Sequence, residues 1–91
     1  MEQLDSLTYL DGKWIKGNPS IIGPISHASW LGSPVFDGAR AFDGMAPDLD
    51  LHSQRVIESA KAMLMAPQIT AEEIHQISLD GLKKFGPKEE L

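Results

Sequence analysis

The stretch "HSQRVIESAKAMLMAPQITAEEIHQISLDGLKKF", residues 52–85, decides the fold, because it carries two helical patterns in succession. In the first, Val56, Ile57, Ala60, Met63 and Leu64 fall on one side of a helix spanning 52–65, and Pro67 closes it. The second begins at Thr70, whose hydroxyl caps the first turn while Glu73 reaches back, the reciprocal pattern of a capping box. Ile74, Ile77, Leu82 and Phe85 form its buried stripe, with Ser78 and Gly81 between them, and Gly86-Pro87 ends it.

Upstream the pattern changes to short strands. "TYLDGKWIKG", residues 8–17, reads as a β-hairpin, since Asp11-Gly12 can take the positive backbone angles of a tight two-residue turn. "NPSIIGP" breaks regularity, and "ISHASWLG" allows one or two helical turns before Gly32 stops them. A hairpin and short antiparallel strands followed by two helices make an α+β domain.

The totals narrow the function. Ninety-one residues form one small domain, and a chain of this length buries only roughly 60 to 65% of the surface its unfolded form exposes. A net charge of −5 with scattered lysines opposes a nucleic-acid or anionic-membrane partner, both of which need concentrated basic surface. With no cysteine, disulfides and thiolate metal sites are excluded, and the cytoplasm is the default compartment. "MEQLDSLTYL" lacks the basic and apolar regions of a signal peptide, and no apolar run approaches the roughly 20 residues of a membrane-spanning helix. His27, His52 and His75 lie on separate segments without metal-ligand spacing, so no metal site is expected.

Two arginines raise a question, since both sit in amphipathic segments. If residues 35–42 are extended, Phe36, Gly38, Arg40 and Phe42 share one face, and Val35, Asp37, Ala39 and Ala41 the other. Gly38 then opens a slot beside Arg40, whose planar fork suits a carboxylate or phosphate. Equally open is a plainer reading in which Asp37-Gly38 is a second hairpin turn and Arg40 lies on a solvated edge. Arg55 shares a helix face with His52, Ser59 and Ala62. It is either a solvated surface residue or a cation that reaches an anion from near the helix start.

Three ordered segments, "YLDGKWIKG", "SHASWLGSPVFDGARAF" and "DLHSQRVIESAKAM", together resemble the N-terminal domain of the fold-type IV pyridoxal-phosphate enzymes. That family includes branched-chain and D-amino acid aminotransferases, aminodeoxychorismate lyases and (R)-selective amine transaminases. The resemblance covers roughly residues 8–80 and implies that Arg55 binds the cofactor phosphate. It implies a substrate pocket formed by Phe36 and Arg40, with Gly38 keeping room between them and Leu31 nearby. The chain has Leu31 where the branched-chain pattern has tyrosine, Pro34 for a small hydroxyl residue and Asp37 for glutamate. "WLGSPVFDGARAF" is closer to an amine-transaminase-like branch.

The resemblance further implies a homodimeric, pyridoxal-phosphate-dependent aminotransferase that moves an amino group between an amine or amino acid and a 2-oxo acid. Residues 1–91 are then its N-terminal small domain. The Schiff-base lysine belongs to a second domain beyond this chain, and none of Lys13, Lys16, Lys61, Lys83, Lys84 or Lys88 matches its context. No catalytic residue is therefore expected within these 91, and the chain alone is expected to be inactive. The alternatives are a non-catalytic remnant acting as a self-association or interaction module, and a lyase of the same fold family. Arg40 and Arg55 are expected to converge on one anionic guest.

Overall fold

A computed structural model describes residues 6–86 and 90–91. The acidic N-terminal residues Met1–Asp5, the stop residue Pro87 and the start of the charged tail, Lys88 and Glu89, lie outside the described residues. The chain divides into two units, Met1–Ser33 and Pro34–Leu91.

In the first unit, β1 (Leu7–Leu10) pairs antiparallel with β2 (Lys13–Lys16), Tyr9 opposite Trp14 and Leu10 opposite Lys13. Asp11 at φ 50 and Gly12 at φ 84 make the two-residue turn, a type whose backbone twist matches the right-handed twist of the strands. The Tyr9 and Trp14 rings meet edge to face at 5.2 Å, a geometry favoured by the quadrupoles of the two rings. Past β2, Gly17 donates its N–H to the Ser6 carbonyl at 2.9 Å and accepts from the Thr8 hydroxyl at 3.0 Å, which extends the ladder by one rung. A single helical turn, α1 (His27–Trp30), follows and stops at Gly32, φ 61.

The second unit opens with residues 34–40, extended and without a strand partner among the described residues, so the anticipated strand over 35–42 makes no ladder there. Asp43-Gly44 supplies the reversal instead: both residues have positive φ, and Phe42 and Met45 bridge across them. Of four Asp-Gly pairs, those at 11 and 43 are turns and the one at 80 lies inside a helix. The pair at 37 is not a turn, because neither Asp37 nor Gly38 has positive φ.

Helix α2 runs Leu49–Ala62, three residues earlier at each end than the periodicity suggested. It starts directly after Asp48, which is held at φ 57. It ends because Leu64 turns left-handed at φ 63, with Leu64 N–H on the Lys61 carbonyl and Met65 N–H on that of Ala60, both at 2.9 Å. That is a Schellman closure with leucine where glycine is usual. Met63 and Leu64 therefore leave the helix, and Leu64 is 93% exposed rather than part of the apolar stripe.

Helix α3 runs Ala71–Leu82 behind the Thr70 capping box: Glu73 N–H donates to Thr70 Oγ1 at 3.1 Å, and Thr70 N–H to Glu73 Oε1 at 2.9 Å. It stops before Gly86, because Lys84 and Phe85 bond back to Gly81 and Leu82 in a tighter turn. Helices α2 and α3 pack on each other. Their buried residues are small, Ser53 and Ala60 on α2 and Gly81 on α3. Ser53 is buried because its hydroxyl is spent locally, donated to the Leu49 carbonyl at 2.8 Å. Ala41, also buried, exchanges reciprocal backbone hydrogen bonds with Leu91 at 3.0 and 2.8 Å.

Candidate functional site

The second unit brings together three polar side chains from two elements. His52 and Arg55 are one turn apart near the start of α2 and so lie on one face. Asp37 reaches them from the extended segment. Along that segment burial alternates: Val35 and Asp37 are half-buried, and Pro34, Phe36 and Gly38 are exposed. The inward set thus includes Asp37, and the Phe36, Gly38 and Arg40 set faces outward.

Asp37 is held on both oxygens. Arg55 Nε donates to Oδ2 at 2.6 Å and Nη2 to Oδ1 at 2.7 Å, a side-on bidentate pair. His52 Nδ1 lies 2.7 Å from Oδ1 and 3.0 Å from Arg55 Nη2, so one ring nitrogen touches both members of the pair: protonated it donates to the carboxylate, unprotonated it accepts from the guanidinium. The Asp37 side chain is 8% exposed and that of Arg55 61% exposed. Hydrogen bonds from Arg55 first and His52 second hold the Asp37 carboxyl well below the usual carboxylate range. The same pair raises the Arg55 pKa, so the guanidinium stays charged.

A guanidinium has five N–H donors on two usable edges. Asp37 occupies the Nε/Nη2 edge. Nη2 also stands 3.0 Å from His52 Nδ1. Among the described residues none accepts from Nη1, so this side of the guanidinium is open to a second anion.

Arg40 has other partners. Its Nη2 lies 3.6 Å from Glu90 Oε1, with both side chains about three-quarters exposed (72% and 74%), and its guanidinium stands 5.9 Å from the Phe42 ring centre. The two arginines share no hydrogen-bond or ion-pair partner among the described residues. Phe36 is 88% exposed and its ring lies over Gly38, 3.4 Å from where a Cβ would stand, so the place beside Gly38 is covered by that ring. Leu31 belongs to the first unit and is exposed there. A separate cavity of about 330 Å³ in the second unit is lined by Phe42, Leu79, Leu82, Phe85 and Leu91, among others.

Sequence reasoning passed over Asp37 and His52 as partners of Arg55. The available signal was face assignment: alternation puts Asp37 on the face opposite Arg40, and helical spacing puts His52 beside Arg55.

No family model matches the chain. A curated protein of Methanocaldococcus jannaschii named "Putative branched-chain-amino-acid aminotransferase" is 32% identical over 75 residues, 82% of this chain and 26% of its own length. The crystal structure of an aminotransferase from Brucella abortus bound to the co-factor PLP superposes with a TM-score of 0.87 at 48% identity, over 92% of this chain and 30% of that one. The chain is aminotransferase-like. It spans about a quarter to a third of the length of these aminotransferases, 26% and 30%. The hairpin followed by helices is thus an aminotransferase arrangement, as the α+β reading expected. No helix among the described residues is long and apolar enough to cross a membrane.

Proposed function

We propose that this chain is the N-terminal small domain of a pyridoxal-phosphate-dependent aminotransferase acting between an amine or amino acid and a 2-oxo acid. Arg55 receives the cofactor phosphate through its Nη1 side, and Phe36, Gly38 and Arg40 contribute to the substrate pocket. The observation that carries the reading is the Nη1 group of a charged, half-exposed arginine, left without an acceptor among the described residues on an aminotransferase-like fold. A phosphate dianion wants charged N–H donors, and Nη1 presents two.

The bound cofactor supplies the electron sink for amino-group exchange. The chain's own residues bind and orient. Arg55 fixes the phosphate end. Arg40 meets the Phe42 ring and an exposed Glu90, and a substrate carboxylate can replace the Glu90 contact. The exposed Phe36 ring is placed to pack on the substrate's apolar part. Covalent attachment of the cofactor is assigned to a lysine outside residues 1–91, and the complete enzyme to a homodimer in which exposed apolar side chains such as Trp30 find cover.

Borohydride reduction in the presence of pyridoxal phosphate, followed by mapping of the modified lysine, tests this. Specific labelling outside residues 1–91 in the longest form of the protein is expected. Efficient labelling at a single one of the six lysines in this chain contradicts the assignment.

A further inference from the structure

The Asp37 carboxylate lies against the cation that is proposed to take the phosphate, which creates an apparent conflict. An anion there repels an incoming phosphate and neutralises part of the arginine's charge. Its geometry works the other way: it is mostly buried, takes the Nε/Nη2 edge through two short bonds, and is braced by His52. Arg55 has several rotatable bonds, and pinning one edge fixes the plane and direction of the other.

We infer that Asp37 is a positioning residue: it locks Arg55 side-on from the extended segment, with His52 as a brace against both, so that the Nη1 side of the guanidinium faces the phosphate. This rests on the phosphate role of Arg55 and adds the way that role is built. The gain comes from pre-organisation, which lowers the ordering cost of binding, and it outweighs the repulsion.

The sign of one effect separates this from the alternatives. The readout is the ratio of equilibrium affinities for pyridoxal 5′-phosphate and pyridoxal, which isolates the phosphate contact from the rest of the cofactor and does not depend on turnover. It is measured in the longest form of the protein. Asp37→Asn removes the negative charge and keeps the shape, so electrostatics alone predicts a higher ratio. Positioning predicts a ratio lower on the order of tenfold, the size that outer partners of a ligating side chain commonly carry. Asp37→Glu keeps the carboxylate and restores most of the ratio. In an Arg55→Ala background Asp37→Asn changes the ratio no further, because its effect passes through Arg55.

A raised ratio in Asp37→Asn, or a loss of equal size in the Arg55→Ala background, overturns the inference. If Arg55→Ala alone leaves the ratio unchanged, the phosphate role itself fails. If Arg55→Ala lowers the ratio and Asp37→Asn does not, the positioning inference fails alone. Pyridoxal affinity and thermal melting of each variant report folding independently of the ratio.

Discussion

Asp37 and Arg55, eighteen residues apart, are joined by two charge-assisted hydrogen bonds of 2.6 and 2.7 Å that fasten an extended segment to helix α2. Residues 34–40 have no ladder partner among the described residues, so this clamp and its His52 brace do for the segment what strand pairing does elsewhere.

That clamp makes stability depend on acid. Asp37 has a folded-state pKa below its unfolded value, so it binds a proton more readily when unfolded. Its contribution is complete above the ordinary carboxylate range, about pH 4, and is lost as pH falls from there toward the lowered folded value. Urea melts at a series of pH values are expected to show the wild type losing its advantage over Asp37→Asn only below that range. A constant gap down to pH 2 contradicts the clamp.

The capping box at the start of α3 gives a second expectation. Thr70 satisfies the Glu73 N–H, which Ala cannot do, so Thr70→Ala lowers stability by about 1 kcal/mol. Equilibrium unfolding measures it, and an unchanged midpoint would mean that the cap is not formed in solution.

At the end of α2, Leu64 is a leucine in a glycine conformation, φ 63, with almost its whole side chain in water. Leu64→Gly relieves the left-handed strain and loses little packing, so it raises stability by roughly 0.5 to 1 kcal/mol after the greater freedom of glycine in the unfolded chain is subtracted. Destabilisation by this change would show that the leucine is covered by something the residues described here do not supply.

Two glycines are expected to separate fold from function. Gly12, at φ 84 in the hairpin turn, is required by the backbone, and Gly12→Ala costs roughly 1 to 2 kcal/mol. Gly38 has no positive φ, and an added Cβ meets only the Phe36 ring at ordinary contact distance. Gly38→Ala therefore shifts stability by less than about 0.5 kcal/mol, whereas the proposed pocket predicts a raised KM for the amino donor. An unchanged KM removes Gly38 from the pocket.

The elements built from local chemistry were legible in the sequence. Asp11-Gly12 makes the hairpin and Thr70 with Glu73 makes the cap, because a turn and a capping box are each specified by a few neighbouring residues. Helix ends governed by competing backbone bonds were not. Leu64 closes α2 without glycine, and α3 tightens before Gly86, so neither end carries the usual signal. The Asp37 clamp was hidden for another reason: it joins residues 15 and 18 positions apart, and no local pattern encodes that distance. Face assignment placed Asp37 opposite Arg40, but nothing in the sequence told which face turned inward.

The most direct test of the account is a crystal structure of the longest form of the protein with pyridoxal phosphate bound. The account predicts a phosphate oxygen about 2.7 to 2.9 Å from Nη1 of Arg55, with Asp37 still on the Nε/Nη2 edge. A phosphate held elsewhere, with Nη1 of Arg55 facing only solvent, would contradict it.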